Sequence, residues 1–223
     1  MTLTQIFKKL EANGVCSFND LMKTAESYDY SYYPLIAARP SNTRAFKLEG
    51  YLFPNTYDFY KNEKPQDAIG RFLRVGEKYI TSADRAKAKS MGYSMDQVLT
   101  VASIIEKEGA NPNEVRKIAA VIYNRLKAGK QLQMDSGIYY IERNVKPYIS
   151  GDVNRYNSLY NMYKCKGLPA GPICNPGART INAALDPADV SYLYFCHDSS
   201  AKYYYADTYE EHLENLKKAG IAS

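Results

Sequence analysis

The run VASIIEKEG (101–109) holds two glutamates, and its spacing decides which of them could do acid–base chemistry. Val98, Val101, Ile104 and Ile105 recur at helical spacing, and Ser94 with Gln97 forms a capping box that starts the helix. At roughly 100° per residue with Val101 at the origin, Ile105 lies near about 40°, Val98 near about 60° and Ile104 near about 300°. On the same wheel Glu108 falls near about 340°, inside the apolar stripe, and Glu106 near about 140°, at its margin beside Ala102 and Leu99. Glu108 therefore points to the dry side at the helix C-terminus, just before Gly109. Desolvation and the negative end of the helix dipole both favour its neutral form. A carboxylic acid kept protonated near neutrality is what general-acid cleavage of a glycosidic bond requires. The bland alternative is a structural glutamate, paired with an arginine such as Arg125 or sitting at the helix rim. Helix geometry alone leaves both readings open.

Other chemistries find less support. No GxGxxG or GxxxxGK[ST] run could cradle a phosphate, and no GxSxG is present. His197 and His212 have no evident nucleophile partner; His212 reads as a rim or packing residue of the terminal helix. Cys16, Cys165, Cys174 and Cys196 lack CxxC spacing, so a site built from Cys165, Cys174, Cys196 and His197 is disfavoured, and no metal or cofactor is expected. The net charge of +5 is spread along the chain, without a basic block that would demand nucleic acid or a membrane surface. Tyrosine stands at 22 residues with no tryptophan, and flat rings with polar tips suit sugars and wet clefts. The Tyr/Lys strip 160–166 reads as the frame of a groove rather than a base-stacking strip.

The elements around the glutamates follow from pattern. Leu3, Ile6, Phe7 and Leu10 predict a first helix ended by Gly14, and Ser17 caps a second through Met22. Residues 28–40 read as irregular and 48–60 as a strand or extended loop broken by Pro54. Pro65 opens one helix to about Lys89. Asn111 and Pro112 open the helix that buries Val115, Ile118, Ala119, Ile122 and Leu126 and ends at Gly129. Residues 131–137 look extended, Thr180 caps a helix to about Leu185, and 192–196 with 202–206 form a hairpin. Thr208 with Glu211 caps a terminal helix. The expected class is α+β: a helix-rich catalytic domain with a small β-hairpin, residues 1–45 forming a helical and linker portion and 46–223 the catalytic domain. No stretch approaches a membrane span and no leader-like start is seen, so the chain reads as a soluble, excised piece.

Six blocks in order carry a resemblance. EGYLFPNTYDF (49–59), ASIIEKEG (102–109) running on to YNRLKAGKQLQMD (123–135), RYNSLY (155–160), GLPAGPICNPG (167–177), AALDP (183–187) and YLYF (192–195) strongly resemble the endolytic transglycosylase family known as MltG or YceG-like. The resemblance implies cleavage of the MurNAc–GlcNAc bond within peptidoglycan strands, leaving 1,6-anhydro-MurNAc ends, with Glu108 as the catalytic glutamate. It also implies a cleft lined by Glu49, Asn124, Arg125, Gln133, Asp135, Tyr156 and Asn157. Family members continue the block ending at Asp135 with Pro-Thr; here Ser136 and Gly137 follow. Full-length members carry a membrane helix and a LysM-like part upstream. The implied setting is the cell envelope, outside the cytoplasmic membrane, with membrane contact only through such an anchor and with glycan strands and cell-wall synthesis or division proteins as partners. Three rivals stay in view: a muramidase using Asp135 to activate water, a non-catalytic glycan-binding or scaffold domain, and the pyridoxal-dependent aminodeoxychorismate lyase activity whose label this family has carried. No Schiff-base lysine or cofactor-phosphate cup marks the last.

Overall fold

The computed structural model describes residues 1–41, 44–109 and 111–221. Its centre is the helix of the glutamate run. Helix α6 (Met95–Lys107) begins at Ser94, whose side chain accepts from Gln97 N while the Gln97 side chain accepts from Ser94 N. It ends with Glu108 as C-cap, and Gly109 takes φ +65°, a left-handed turn that glycine adopts at little cost. Val98, Val101, Ile104 and Ile105 are wholly buried. Each is worth roughly 1.5–3 kcal/mol on burial. The last turn of α6 is therefore a rigid platform for whatever the following residues carry.

Around α6 pack α5 (Ser82–Ser90), α7 (Val115–Lys127), α8 (Ser136–Tyr140) and α10 (Ala178–Leu185). Helix α7 buries Val115, Ile118, Ala119 and Ile122, as expected, while Leu126 is half-buried. At the other end of the chain α1 (Leu3–Ala12) packs on α2 (Phe18–Ser27), and α2 on α4 (Pro65–Tyr79). Leu3 and Phe7 belong to the same hydrophobic cluster as Ile69, Leu99 and Ile104. The loop 46–53 threads this core without becoming a strand. Asn175 Oδ1 accepts from Gly50 N at 2.9 Å and Leu52 N at 2.8 Å, and a Cβ on Gly50 would meet the Pro172 ring at 2.3 Å. Only glycine permits that approach. Beneath the loop, Arg44 and Asp96 form a buried two-pronged pair at 3.0 Å per contact, joined by the Tyr51 hydroxyl.

A short helix α3 (Pro34–Ala37) interrupts the tyrosine-rich loop, and α9 (Arg155–Tyr160) follows a single π-turn (Ile141–Val145) and a 3-10 turn (Lys146–Tyr148). The sheet among the described residues is one antiparallel hairpin, β1 (Tyr194–His197) with β2 (Tyr203–Ala206), pairing Tyr194 with Ala206 and His197 with Tyr203. Its turn is pinned by Asp198, whose carboxylate accepts from Ser200 N at 2.9 Å and Lys202 N at 3.0 Å. Helix α11 (Tyr209–Lys218), started by the Thr208–Glu211 capping box, lies against both strands. The class is α+β and helix-rich, as the sequence predicts.

Several element limits differ from expectation. The single helix expected from Pro65 to Lys89 is two, because Thr81 and Asp84 form a capping box that restarts the chain after the extended, buried Ile80. Helix α2 runs beyond Met22 to Ser27. Thr180 does not cap α10; Gly177 does, and the Thr180 hydroxyl donates to Glu106 Oε2 at 2.8 Å. Ser136 and Gly137, read as extended, begin α8. There the absence of a side chain at Gly137 matters: a Cβ would lie 2.1 Å from the Tyr160 carbonyl oxygen. Gly137→Ala is expected to destabilise the chain by roughly 1–3 kcal/mol or more, since backbone rather than a flexible side chain must move. A lowered urea midpoint at unchanged slope checks this.

Candidate active site

Glu106 and Glu108 part company at the end of α6. Glu106 Oε2 accepts from Thr180 Oγ1 and, at 3.4 Å, from Gly177 N, which places it at the positive N-terminus of α10. It is a structural cap. Glu108, half-buried, instead lines a groove of about 730 Å³ bounded by the end of α6, the 131–135 stretch, β1 and α11. Burial pushes its carboxyl above the usual carboxylate range; the Ser136 side chain opposes, the Asp135 carboxylate adds to the rise, and the His197 imidazole opposes. The helix C-terminus contributes in the same sense as burial. A glutamic acid whose proton affinity is raised, open to a groove, is suited to act as a general acid.

The wall opposite is shaped by Arg125, which the sequence left as a rival partner for Glu108. Its donors go elsewhere. Nε and Nη2 donate to the Gln131 carbonyl at 2.9 and 2.7 Å, Nη1 donates to the Leu193 carbonyl at 3.0 Å, and Nη2 reaches the Gln133 side-chain oxygen. The guanidinium also lies 5.1 Å from the Tyr194 ring centre. Arg125 thus clamps the 131–133 stretch to the hairpin and positions Gln133, whose backbone sits at φ +54° and donates to the Met162 carbonyl. Asp135 is exposed in the groove and accepts from the Tyr163 hydroxyl at 2.9 Å.

Tyr163 lies in the strip 160–166 expected to frame a groove, whereas Tyr194, His197 and His212 also line this groove without having been expected there. The chain has three Tyr-Asn steps, 123–124, 156–157 and 160–161, and it is the last that leads into the groove, through Tyr163. The alternation of the hairpin aromatics was the signal for Tyr194. His212 stacks on Tyr194 at 5.1 Å and 23°, and its buried Nδ1 has no partner among the described residues. Burial, with Arg125 adding to it, lowers the His212 pKa and favours the neutral ring. His197 Nδ1 lies 3.0 Å from the Asp198 carbonyl oxygen.

Of the residues expected at the cleft, the structure brings together Glu108, Arg125, Gln133 and Asp135. It does not bring the others. Asn124 Nδ2 donates to the Val190 and Tyr192 carbonyls at 2.8 and 3.1 Å, holding the approach to β1. Tyr156 is buried on α9 beside a different groove, and Asn157, half-buried on the same helix, is not among the residues lining that of Glu108. Glu49 is in the core: its carboxylate accepts from Leu3 N at 2.9 Å, Asn175 Nδ2 at 3.0 Å and the Tyr140 hydroxyl at 3.3 Å.

Burial raises the Glu49 carboxyl to about 7, against the opposing pull of the Leu3 N–H and the Tyr140 hydroxyl. An acid with a raised folded-state pKa adds stability that is fully present below its unfolded value, about 4.3, and is lost as pH climbs through the folded one. Glu49→Gln is therefore expected to flatten a decline in stability between about pH 4.3 and pH 7, read from urea midpoints across that range.

Comparison with known proteins bears on the whole chain. The model of the YceG-like family matches residues 1–218. The "Endolytic murein transglycosylase" of Bacillus subtilis (strain 168) is 36% identical over 172 residues, covering 77% of this chain and 48% of the relative. The protein of the same name from Streptococcus pneumoniae serotype 2 is 34% identical over 177 residues, covering 77% and 32%. The chain thus spans about half or less of the length of these curated relatives. A crystal structure of a yceG-like protein from Listeria monocytogenes superposes with a TM-score of 0.81 at 33% identity, covering 96% of this chain and 73% of that one.

Proposed function

The chain belongs to the YceG-like family, and on that premise we propose that it is the catalytic part of an endolytic peptidoglycan lytic transglycosylase. The observation that carries this reading is Glu108: a carboxyl whose proton affinity burial raises, at a rigid helix end, facing an open groove. Glu108 donates its proton to the glycosidic oxygen as the bond from the MurNAc anomeric carbon breaks. Positive charge develops on an oxocarbenium-like sugar, and the new carboxylate sits ready to stabilise it. The same carboxylate then takes the proton of the sugar's own C6 hydroxyl, whose oxygen closes on the anomeric carbon. The products are a 1,6-anhydro-MurNAc end and a free GlcNAc hydroxyl, and Glu108 recovers its proton. No water is consumed. Gln133 and Asp135 offer polar contacts along the groove, and Tyr163 and Tyr194 offer ring faces to sugars.

We place the reaction on the wall side of the cytoplasmic membrane, where the glycan strands are. Among the described residues no helix is long and apolar enough to cross a membrane. A second reading rests on Asp135, a carboxylate in the same groove: it could activate water, making the enzyme a hydrolase. Digesting purified sacculi and weighing the fragments separates the two. Anhydro ends on fragments of varied length are expected. Reducing ends would establish hydrolysis instead, and intact sacculi would remove the enzymatic reading.

A further inference from the structure

A second groove, of about 510 Å³, lies between the end of α2, residues 39–41 and 44–47, and residues 148–150 and 155–156, and the reaction proposed above makes no use of it. Its charges do not cancel. Arg44 is committed to Asp96, at 3.0 Å, and Lys47 to Glu26, at 3.0 Å. Arg39 and Arg155 line the same groove, and neither has a carboxylate within ion-pairing distance among the described residues. The Arg39 Nε is buried and finds no hydrogen-bond acceptor among the described residues. Such a donor ordinarily has a partner. Arg155 is held in place from below: its guanidinium lies 4.8 Å from the Tyr156 ring centre and donates to the Tyr156 hydroxyl at 2.8 Å. The rest of the wall is partly apolar, with Met22, Phe46 and Ile149. Next to apolar walls, charge attraction is screened less than in open water.

We propose that this groove is an oxyanion-binding site, in which Arg39 and Arg155 take a carboxylate or phosphate group by their paired N–H donors. Guanidinium forks match both groups in geometry, and a concave site with uncompensated positive charge draws them in. The site lies apart from Glu108, so ligand binding here and glycan cleavage there are separable properties.

Calorimetric titration of the chain tests it at constant ionic strength, with three probes: inorganic phosphate, acetyl-alanyl-alanine and the C-terminal amide of that dipeptide. Saturable binding of phosphate or of the dipeptide acid is expected, and which one binds identifies the source of the oxyanion. The amide, lacking the charge, should bind at least about tenfold more weakly than the acid wherever the acid binds. Arg39→Gln and Arg155→Gln should each weaken binding by about tenfold or more, while Lys61→Gln, an exposed lysine elsewhere, should not. Glu108→Gln should bind as the unaltered chain does, whatever its effect on cleavage. Binding of neither anion, or equal binding by the Arg39→Gln variant and the unaltered chain, would overturn the proposal.

Discussion

Replacing Glu108 with glutamine should leave a folded chain that cleaves glycan strands about 10²–10⁴-fold more slowly, the usual worth of a positioned acid–base group. The substitution keeps size and shape and removes only the proton cycle. It disturbs little else, because Glu108 makes no ion pair among the described residues and caps α6 through its backbone. The sign of the stability change follows from the raised pKa. A carboxyl that folding makes harder to ionise adds stability at low pH and loses it as pH rises through its folded-state value. Glutamine escapes that loss, so the variant should melt no lower than the parent at mildly alkaline pH. Activity of the parent should likewise fall as pH rises through the same value, since the acid must be protonated when sugar arrives. Glu106→Gln gives the contrast, touching the start of α10 and not the groove. Initial rates of sacculus solubilisation with circular-dichroism melts read all of this. A Glu108→Gln rate within a few-fold of the parent would remove Glu108 from the chemistry.

The second large effect is expected at Arg125, and it divides differently between folding and catalysis. Arg125→Ala strips the hydrogen bonds from the Gln131 and Leu193 carbonyls and from the Gln133 side chain. Leaving such acceptors without partners costs about 1–3 kcal/mol apiece where they are buried, against a total of about 5–15 kcal/mol for a typical domain. A loss of roughly 2–4 kcal/mol is expected, read from urea midpoints. Lysine should recover little, because one ammonium cannot span three acceptors on two segments as a planar fork does. In whatever fraction remains folded, the groove wall loosens and substrate binding should suffer more than the chemical step, so KM rises more than kcat falls. Wild-type stability in Arg125→Ala would mean that the clamp is incidental.

These two residues also mark how far the sequence could be read. The angular positions of Glu108 inside the apolar stripe and of Glu106 at its margin were legible, because both depend only on a regular 3.6-residue period, but they left the acid and the structural readings of Glu108 open. The helix boundaries set by Ser94, Pro65 and Thr208 were legible for the same local reason. The Thr81–Asp84 capping box also stands in the sequence but was missed, because the apolar periodicity on either side of it hid the break. Arg125, by contrast, looked like a candidate ligand or ion-pair partner, and only the return of residue 193 beside residue 131 shows it as a clamp. The same holds for Tyr163, Tyr194 and His212, which meet in one groove only once α11 has folded back on the hairpin. Glu49 was drawn to the cleft by resemblance alone. What it does is hold the first turn of α1, a contact across 46 residues that no local pattern encodes.

Behind the proposed chemistry stands the protonation of one side chain. It can be read directly by carbon-13 NMR titration of labelled glutamate carboxyls, with Glu108→Gln identifying the resonance. The expected midpoint for Glu108 lies clearly above the usual carboxylate range. A midpoint at or below that of a free glutamate, about 4.3, would contradict it, since the group would then be ionised long before a sugar reached the groove.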